Sequence, residues 1–188
     1  MDIIQKFYDN LASKYDLLFK DWNASCKEQA TVIKKILDCH GFDISTKILD
    51  CACGIGTQSI GLAELGYDVT ASDISENELK EAKRRCKEKN LKIGFKRADF
   101  RELESTFSKS FDVVIAMDNA LPNMLNKTEL EKAIRSISGR IKNGGLFIAS
   151  IHDCDEILQT KPLYTPPYIH ETENGQRTKQ KFALISFE

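Results

Sequence analysis

Hydrophobic and polar positions alternate regularly along most of this chain. From Lys47 onward, short apolar runs of strand length are followed by longer amphipathic stretches, which is typical of repeated βα units around a mostly parallel sheet. The run FDVVIAM at 111–117 is apolar throughout and predicts a central strand covered on both faces. The other predicted strands are 47–51, 67–72, 91–97 and 146–151, and the predicted helices between them are 57–65, 76–89 and 128 to about 142. The pattern therefore predicts a three-layer α/β fold.

Local signals mark several helix ends. Ser75 with Glu78 has the spacing of a capping box, in which the serine oxygen accepts from a backbone amide and the glutamate reaches back. Thr128 with Glu131 has the same spacing, and the Asn-Gly-Gly at 143–145 predicts a left-handed stop for that helix. The remaining predicted elements are helices at 3–19 and 25–39 and a last strand at 182–187.

Composition limits the kinds of partner. With 27 basic and 28 acidic residues, the chain lacks the positive field with which non-specific nucleic-acid or membrane-surface binders neutralise phosphates. This favours a small-molecule partner. The length of 188 residues, of which 41% are hydrophobic, predicts a single domain. Six cysteines lack the spacing of a disulfide scaffold or of zinc knuckles, so we expect reduced thiols and no metal. With neither a leader sequence nor an apolar run of about 20 residues, the protein is expected in the cytoplasm.

The strongest chemical signal is a glycine-containing turn between the first predicted strand and its helix. Asp50-x-Ala52-x-Gly54-x-Gly56 ends the strand, and Asp73 ends the second strand nineteen residues after Gly54. Small residues at such a turn let a ligand approach the backbone, and the later carboxylate is placed to accept hydrogen bonds from ribose hydroxyls. The pattern therefore predicts a nucleoside cofactor.

Asp50 distinguishes two kinds of nucleoside cofactor. In a dinucleotide loop the helix N-terminus receives a pyrophosphate, which a nearby carboxylate would repel. S-adenosylmethionine (SAM) instead carries an ammonium and a sulfonium group, which a carboxylate would attract. Ser59 also replaces the third glycine of the dinucleotide pattern. We therefore predict SAM as the cofactor, with S-adenosylhomocysteine as its product, and keep an NAD-binding oxidoreductase as the less favoured alternative.

A resemblance to a known family rests on the run ILDCACGIGTQSIGLAELGYDVTASDIS. It is similar to the cofactor-binding region of class I SAM-dependent methyltransferases and covers their first two βα units. The resemblance implies a Rossmann-like three-layer sandwich and transfer of a methyl group to an acceptor. The implied cofactor contacts are Asp50, Gly54 and Gly56 around the methionine part, Ala52 in the same turn, Asp73 at the ribose hydroxyls, Ile74, Asp99 and Phe100 at adenine, and Met117 along the cofactor.

Three shorter stretches resemble the glycine/sarcosine N-methyltransferase group more specifically. They are an aromatic segment from Tyr8 to Trp22, DNALPN after the fourth strand and HDCDEIL after the fifth. In these relatives the aromatic segment is a lid over the cofactor, which implies contacts from Tyr15 and Trp22, with a weaker one from Tyr8. The asparagine after the fourth strand faces the acceptor there, which makes Asn119 a candidate catalytic residue.

The third stretch departs from these relatives at one position. Relatives that methylate glycine have an arginine there, which can bind a carboxylate through two parallel hydrogen bonds, whereas this chain has His152. Histidine is largely neutral at about pH 7, so it is a poor carboxylate anchor and, like a tyrosine hydroxyl, a candidate to take the proton of the attacking amine. The substitution argues against glycine as the acceptor, although an amine nitrogen is still expected. A SAM-binding protein or subunit without catalysis is the alternative from another functional class.

The resemblance divides the domain, 1–188, into three parts. These are a helical N-terminal lid at 1–42, a SAM-binding core at 43–152, and an acceptor-side loop with a final strand at 153–188. Relatives complete the sheet with two antiparallel strands after the fifth, whereas only 182–187 is available here. Because an unpaired edge invites pairing with another strand, the interpretations are truncation, a closing strand from a partner chain in a homodimer, or different pairing of the C-terminal segment.

Overall fold

The predicted parallel sheet is present and has five strands. The structure, a computed structural model, describes residues 3–151, Gln159, and two short strands at 169–171 and 177–179. The strands of the main sheet are β1 (Lys47–Asp50), β2 (Asp68–Asp73), β3 (Gly94–Arg97), β4 (Phe111–Ala116) and β5 (Ile141–Ala149). They lie in the order β3-β2-β1-β4-β5, and all neighbouring pairs are parallel. The α/β class is therefore confirmed, and the reversal of strand order beside β1 creates a crevice at the carboxyl ends of the strands.

Helices cover both faces of this sheet. They are α1 (Ile3–Leu11), a 3-10 helix (Ala12–Leu18), α2 (Trp22–Cys39), α3 (Thr57–Glu64), α4 (Glu76–Glu88) and α5 (Lys127–Ser138). Val113 and Ile115 of β4 pack with Ile33 of α2 on one face, and Val114 packs with Ile137 of α5 on the other. The predicted burial of this strand from both sides is confirmed. Among the described helices, none combines the length and hydropathy needed to cross a bilayer.

The contact between α2 and α3 requires a glycine. A Cβ atom at Gly61 would lie 2.3 Å from the carbonyl oxygen of Cys26, so no larger residue fits without moving the helices apart. Cys26 and Ala30 of α2 are completely buried. This packing holds the N-terminal helices against the helix that follows the glycine turn.

The N-terminal helices differ from the prediction in their boundaries. The segment 3–19 is not one helix but α1 followed by the 3-10 helix, and α2 begins at Trp22 rather than at Ser25. The start of α2 is set by Asp21, whose carboxylate accepts a hydrogen bond from the amide of Ala24 at 3.0 Å.

The fifth helix begins and ends earlier than predicted. Asn126, and not Thr128, is its N-cap, because the Asn126 side chain accepts from the amide of Glu129 at 3.0 Å. The helix ends at Ser138, so the predicted end near 142 is wrong.

The Asn-Gly-Gly at 143–145 lies within β5 and does not stop the helix. Gly144 has a φ of 77°, and the register between β5 and β4 shifts between Phe111 and Val113. The glycines therefore form an irregularity of the strand, where extra residues are accommodated in the sheet.

Two short strands follow the described core. They are β6 (Ile169–Glu171) and β7 (Arg177–Lys179), and they pair antiparallel with each other. No strand was predicted there, because 171–181 is polar. The strand predicted at 182–187 lies outside the described residues.

Candidate functional site

A cleft opens at the carboxyl ends of β1, β2 and β4, where ligands of open α/β sheets bind. Most of the predicted cofactor contacts line it: Tyr15, Ala52, Gly54, Asp73, Ile74, Asp99, Phe100 and Met117. The candidates that do not line it are Trp22, Asp50, Gly56 and Asn119. The remaining candidate, His152, lies outside the described residues.

The two glycines of the turn have different surroundings. Gly54 has a φ of 51° and lines the cleft, and its amide donates to the Asp73 carboxylate at 2.8 Å. Gly56 has a φ of 92° and begins α3, where a Cβ would lie only 3.0 Å from the Cδ1 atom of Ile60. Both need the left-handed conformation that glycine adopts most easily. Gly54 leaves space on the cleft side, whereas Gly56 serves the packing of the helix.

Two buried carboxyl groups form the wall of the cleft beside β2. Asp73 accepts from the amides of Gly54 and Ser75 at 2.8 and 2.9 Å, and burial raises its pKa to about 6. Glu78, in the first turn of α4, is only 2% exposed. Burial, reinforced by the charge of Asp73, raises the pKa of Glu78 to about 9. At neutral pH this wall therefore carries one ionised and one protonated carboxyl group.

The predicted capping box at Ser75 is only half present. The Ser75 hydroxyl accepts from the amide of Glu78 at 3.1 Å, as expected. The Glu78 carboxyl does not reach back, because the Ser75 amide already donates to Asp73. Instead it lies beside Gly54, where a Cβ would be 3.4 Å from the Glu78 Oε2 atom.

Asp50 has a different environment from the one predicted. Its side chain is completely buried, and it accepts from the Ser59 hydroxyl at 2.6 Å and from the Ala52 amide at 3.4 Å. Burial raises the pKa of Asp50 to about 7. The predicted attraction of cofactor cations by Asp50 is therefore corrected: this carboxyl supports the turn from beneath, and Ser59 is its partner.

Asp99 and Phe100 line the cleft beyond β3. The Arg101 guanidinium donates to both carboxylate oxygens of Asp99, at 2.6 to 3.0 Å. Arg101 also donates to Glu129 of α5 at 2.7 Å. The exocyclic amine of adenine, which is predicted to donate to Asp99, would share this carboxylate with Arg101.

The end of β4 presents a carboxylate to the cleft. Asp118 has a φ of 50°, is exposed and lines the cleft. The buried Gln58 donates to its Oδ2 atom at 2.8 Å, which fixes the carboxylate. Asn119 also has a left-handed backbone, at φ 65°, and its backbone amide donates to the Ser150 carbonyl at 3.2 Å. The turn thus directs Asp118, rather than the predicted Asn119, into the cleft.

The first helix lies across the cleft from one wall to the other. On the α4 side, the Asp9 carboxylate accepts from the Ser75 hydroxyl at 2.6 Å and from the backbone amide of Asn77 at 3.2 Å. On the opposite side, the Tyr8 hydroxyl accepts from Asn123 Nδ2 at 3.1 Å. These contacts place the N-terminal segment where the predicted lid would be.

The two aromatic residues predicted to contact the cofactor pack in one apolar cluster, but only one of them lines the cleft. Tyr15 lines the cleft, and burial raises its pKa well above the usual range. Trp22 lies behind the cleft, where its Nε1 atom donates to the Thr57 hydroxyl at 3.0 Å and its ring stacks 4.3 Å from the Arg85 guanidinium carbon. Trp22 therefore braces the helix after the turn.

Cys51 and Cys53 flank the small residue of the turn and line the cleft. Burial raises the pKa of both thiols well above the usual range, so they are neutral rather than nucleophilic thiolates. Across residues 3–151 and the other described positions, no group of three or more His, Cys, Asp or Glu side chains is placed to hold a metal ion.

The polar residues of the cleft that were not predicted from the sequence are Thr57, Gln58, Glu78, Arg101, Asp118 and Asn123. Asp118 could have been found from its position, because it is the first charged residue after an apolar central strand. Glu78 was not predicted in the cleft, because its spacing from Ser75 indicated a capping box. Nothing in the local sequence of Gln58 indicates that it turns toward Asp118.

Comparison with known proteins identifies the family. The model of a family described as a methyltransferase domain matches residues 48–145. A glycine/sarcosine N-methyltransferase of Parasynechococcus marenigrum (strain WH8102) is 28% identical over 82% of this chain and 54% of its own length. A ubiquinone biosynthesis O-methyltransferase of Caulobacter vibrioides is 28% identical over 75% of this chain and 58% of its own length. The crystal structure of a SAM-dependent methyltransferase from Clostridium acetobutylicum ATCC 824 shares the fold, with a TM-score of 0.67 and 22% identity over 89% of this chain and 65% of that one.

The cleft fits the cofactor of this family. SAM has a net positive charge and a ribose diol. The cleft is lined by four acidic residues, Asp73, Glu78, Asp99 and Asp118, and Gly54 stands where a Cβ would narrow it. The chain spans 54% to 61% of the lengths of the first curated relatives. The matched residues, the sheet order and the glycine turn together show that this chain belongs to the methyltransferase domain family, with the Rossmann-like fold and the SAM cofactor of class I methyltransferases.

Proposed function

We propose that the protein transfers the methyl group of SAM to the nitrogen of a small amine, which enters beside the end of β4. The observation that carries this proposal is the acidic character of that end of the cleft. Asp118 is held there by Gln58 at 2.8 Å. Burial raises the pKa of Tyr8 and Tyr15, and the nearby Asp118 charge raises it further. A carboxylate beside phenol hydroxyls is suited to an ammonium group, which it attracts and orients.

The described part of the cleft favours an acceptor without a carboxylate next to its nitrogen. Within that part, the basic side chain that lines the cleft is Arg101, and it is paired with Asp99 and Glu129. The carboxylate of glycine or sarcosine would therefore enter an acidic cleft without a cationic partner among these residues. The names of the relatives include both amino-acid N-methyltransferases and an O-methyltransferase, so they support methyl transfer without choosing the acceptor.

The proposed mechanism relies mainly on orientation. SAM supplies a methyl group on a positively charged sulfur, and an amine can displace the sulfur directly. Holding two reactants in line can lower a barrier by roughly 7 to 11 kcal/mol without a covalent enzyme intermediate. Tyr8 and Tyr15 keep their protons, so they can donate hydrogen bonds to the acceptor but do not act as bases. Asp118 and, as predicted from the sequence, His152 are the proposed proton acceptors, and we assign to Asp118 the acceptor-facing position that the sequence predicted for Asn119.

Methyl-labelled SAM tests the proposal with matched acceptors. Sarcosine and N-methylethanolamine share a secondary amine of similar basicity, but only sarcosine has a carboxylate. We expect N-methylethanolamine to be methylated at least about tenfold faster, because no ion pair compensates the carboxylate. Labelling of hydroxyl acceptors alone, or faster labelling of sarcosine, would contradict the proposal. Binding of S-adenosylhomocysteine without turnover on any acceptor would instead favour the non-catalytic alternative.

Asp118→Asn tests the residue on which the proposal depends. Removing the charge while keeping the shape should raise the KM for the amine about tenfold and leave the affinity for S-adenosylhomocysteine within about twofold. Glu131→Gln, which removes an exposed carboxylate from α5, is the matched control and should change neither value. An unchanged amine KM in Asp118→Asn would remove this residue from acceptor binding.

A further inference from the structure

Glu78 is the most unusual polar group of the cleft. It is 2% exposed, it lines the cleft beside Gly54, and its Oε1 atom has no hydrogen-bond partner among the described residues. Leaving a buried polar atom without a partner is costly, so such an atom in a ligand cleft points to a partner on the ligand.

No cationic partner for Glu78 is present in the part of the chain that the structure describes. The charges that act on it are those of Asp73, at the end of β2, and Asp9, on α1, and both are acidic. Glu78 in turn acts on Tyr8, Tyr15 and Cys53, which are neutral at neutral pH. A carboxyl in this position avoids repulsion by keeping its proton, which makes it a hydrogen-bond donor.

We propose that Glu78 is a second carboxyl of the cofactor site, which in its acid form donates a hydrogen bond to a ribose hydroxyl oxygen of SAM while Asp73 accepts from the ribose diol. Each hydroxyl of a diol both donates and accepts, whereas an ionised carboxylate only accepts. Asp73 alone therefore matches half of the hydrogen-bonding capacity of the diol, and the acid form of Glu78 supplies the missing donor. This inference rests on the cofactor of the family and does not depend on the proposed acceptor.

Binding of S-adenosylhomocysteine, measured by calorimetry on the full chain without acceptor, tests the inference. Glu78→Met, which removes the hydrogen bond, should weaken binding about tenfold. Glu78→Gln keeps a neutral donor of the same shape and should bind within about threefold of the parent protein. The control is Glu76→Gln on the same helical turn, where the carboxylate is exposed and 3.6 Å from Lys80, and it should have no effect.

Two further readouts separate a ligand contact from a structural role. Glu78→Met should raise the melting temperature of the ligand-free protein, because it removes a buried carboxyl without a partner, while it weakens binding. The 2′-deoxy and 3′-deoxy analogues of S-adenosylhomocysteine each lack one ribose hydroxyl. The analogue without the hydroxyl that contacts Glu78 should bind the parent protein about tenfold more weakly than S-adenosylhomocysteine does. In Glu78→Met, removal of the same hydroxyl should reduce the affinity much less. Equal losses in both proteins would overturn the inference.

The pH profile keeps the inference testable if Glu78→Met does not fold. Because burial raises the pKa of Glu78 to about 9, affinity in the parent protein should fall above about pH 9, when the donor is lost. In Glu78→Gln the affinity should not fall for this reason, since the amide does not titrate. Any titration of the ligand itself affects both proteins equally. Identical profiles in the two proteins would contradict the inference.

Discussion

The two walls of the cleft are built in different ways. On the β2 wall, Asp73 and Glu78 are buried, and two backbone amides fix the Asp73 carboxylate. On the β4 wall, Asp118 is exposed in a left-handed turn, and among the described residues Gln58 is the side chain that donates to its carboxylate. The first wall is part of the strand, turn and helix that make the fold, whereas the second carries its carboxylate on an exposed turn after β4. This difference explains how one fold can keep a cofactor while its acceptors vary.

Asp73→Asn should have the largest effect and tests whether the β2 wall is as essential as its hydrogen bonds suggest. The amide group can accept on only one side, so either the Gly54 or the Ser75 amide loses its partner, and the charge at the ribose is removed. We expect the affinity for S-adenosylhomocysteine to fall about a hundredfold, or about 3 kcal/mol. Asp68→Asn, at the exposed start of the same strand, is the control and should bind normally. A near-normal affinity of Asp73→Asn for S-adenosylhomocysteine would show that the β2 wall is no more important for cofactor binding than the β4 wall.

The pH dependence of stability should distinguish the walls next. Because the native pKa of Glu78 is raised to about 9, the native state holds a proton that the unfolded chain has lost above about pH 5. The free energy of unfolding should therefore fall as pH rises toward 9, with a contribution from Glu78 approaching about 1.4 kcal/mol per pH unit. Urea unfolding at about pH 6 and pH 8 measures it. Glu78→Gln should flatten the dependence and Asp118→Asn should retain it; equal slopes in all three proteins would contradict this assignment.

Trp22→Phe should have the smallest effect on binding and tests whether Tyr15, which lines the cleft, contacts the cofactor in place of Trp22. It removes the hydrogen bond to Thr57 and weakens the stacking with Arg85, so we expect a loss of about 1 to 2 kcal/mol in unfolding free energy. The affinity for S-adenosylhomocysteine should change less than about twofold. Tyr15→Leu, on the cleft side, should weaken that affinity more than Trp22→Phe does. The opposite ranking would restore Trp22 as the cofactor contact.

Much of the fold could be predicted, because the relevant signals are local. The change from strand-length apolar runs to amphipathic stretches predicted each strand of the main sheet and the helices between them. The exception is the start of β5, where an Asn-Gly-Gly that resembles a helix stop lies inside the strand. The difference depends on pairing with Phe111 and Val113, which are about thirty residues away in sequence, and no local pattern contains that information.

The site shows the same limit at the level of side chains. The positions of Gly54 and Asp73 in the cleft could be predicted, because Gly54 lies in the turn after one recognisable strand and Asp73 ends the next. The orientation of Glu78 could not, since it depends on Asp73 occupying the Ser75 amide. The prediction of SAM stands, but the electrostatic role given to Asp50 was wrong, because Ser59 and the turn bury its carboxyl away from the cleft.

A crystal structure of the full chain with S-adenosylhomocysteine would show which residues hold the cofactor. We expect the nucleoside at the carboxyl ends of β1 and β2, with its ribose hydroxyls within hydrogen-bond distance of Asp73 and Glu78 and its sulfur directed toward Asp118. A nucleoside bound elsewhere, or a ribose that contacts neither carboxyl, would contradict this expectation.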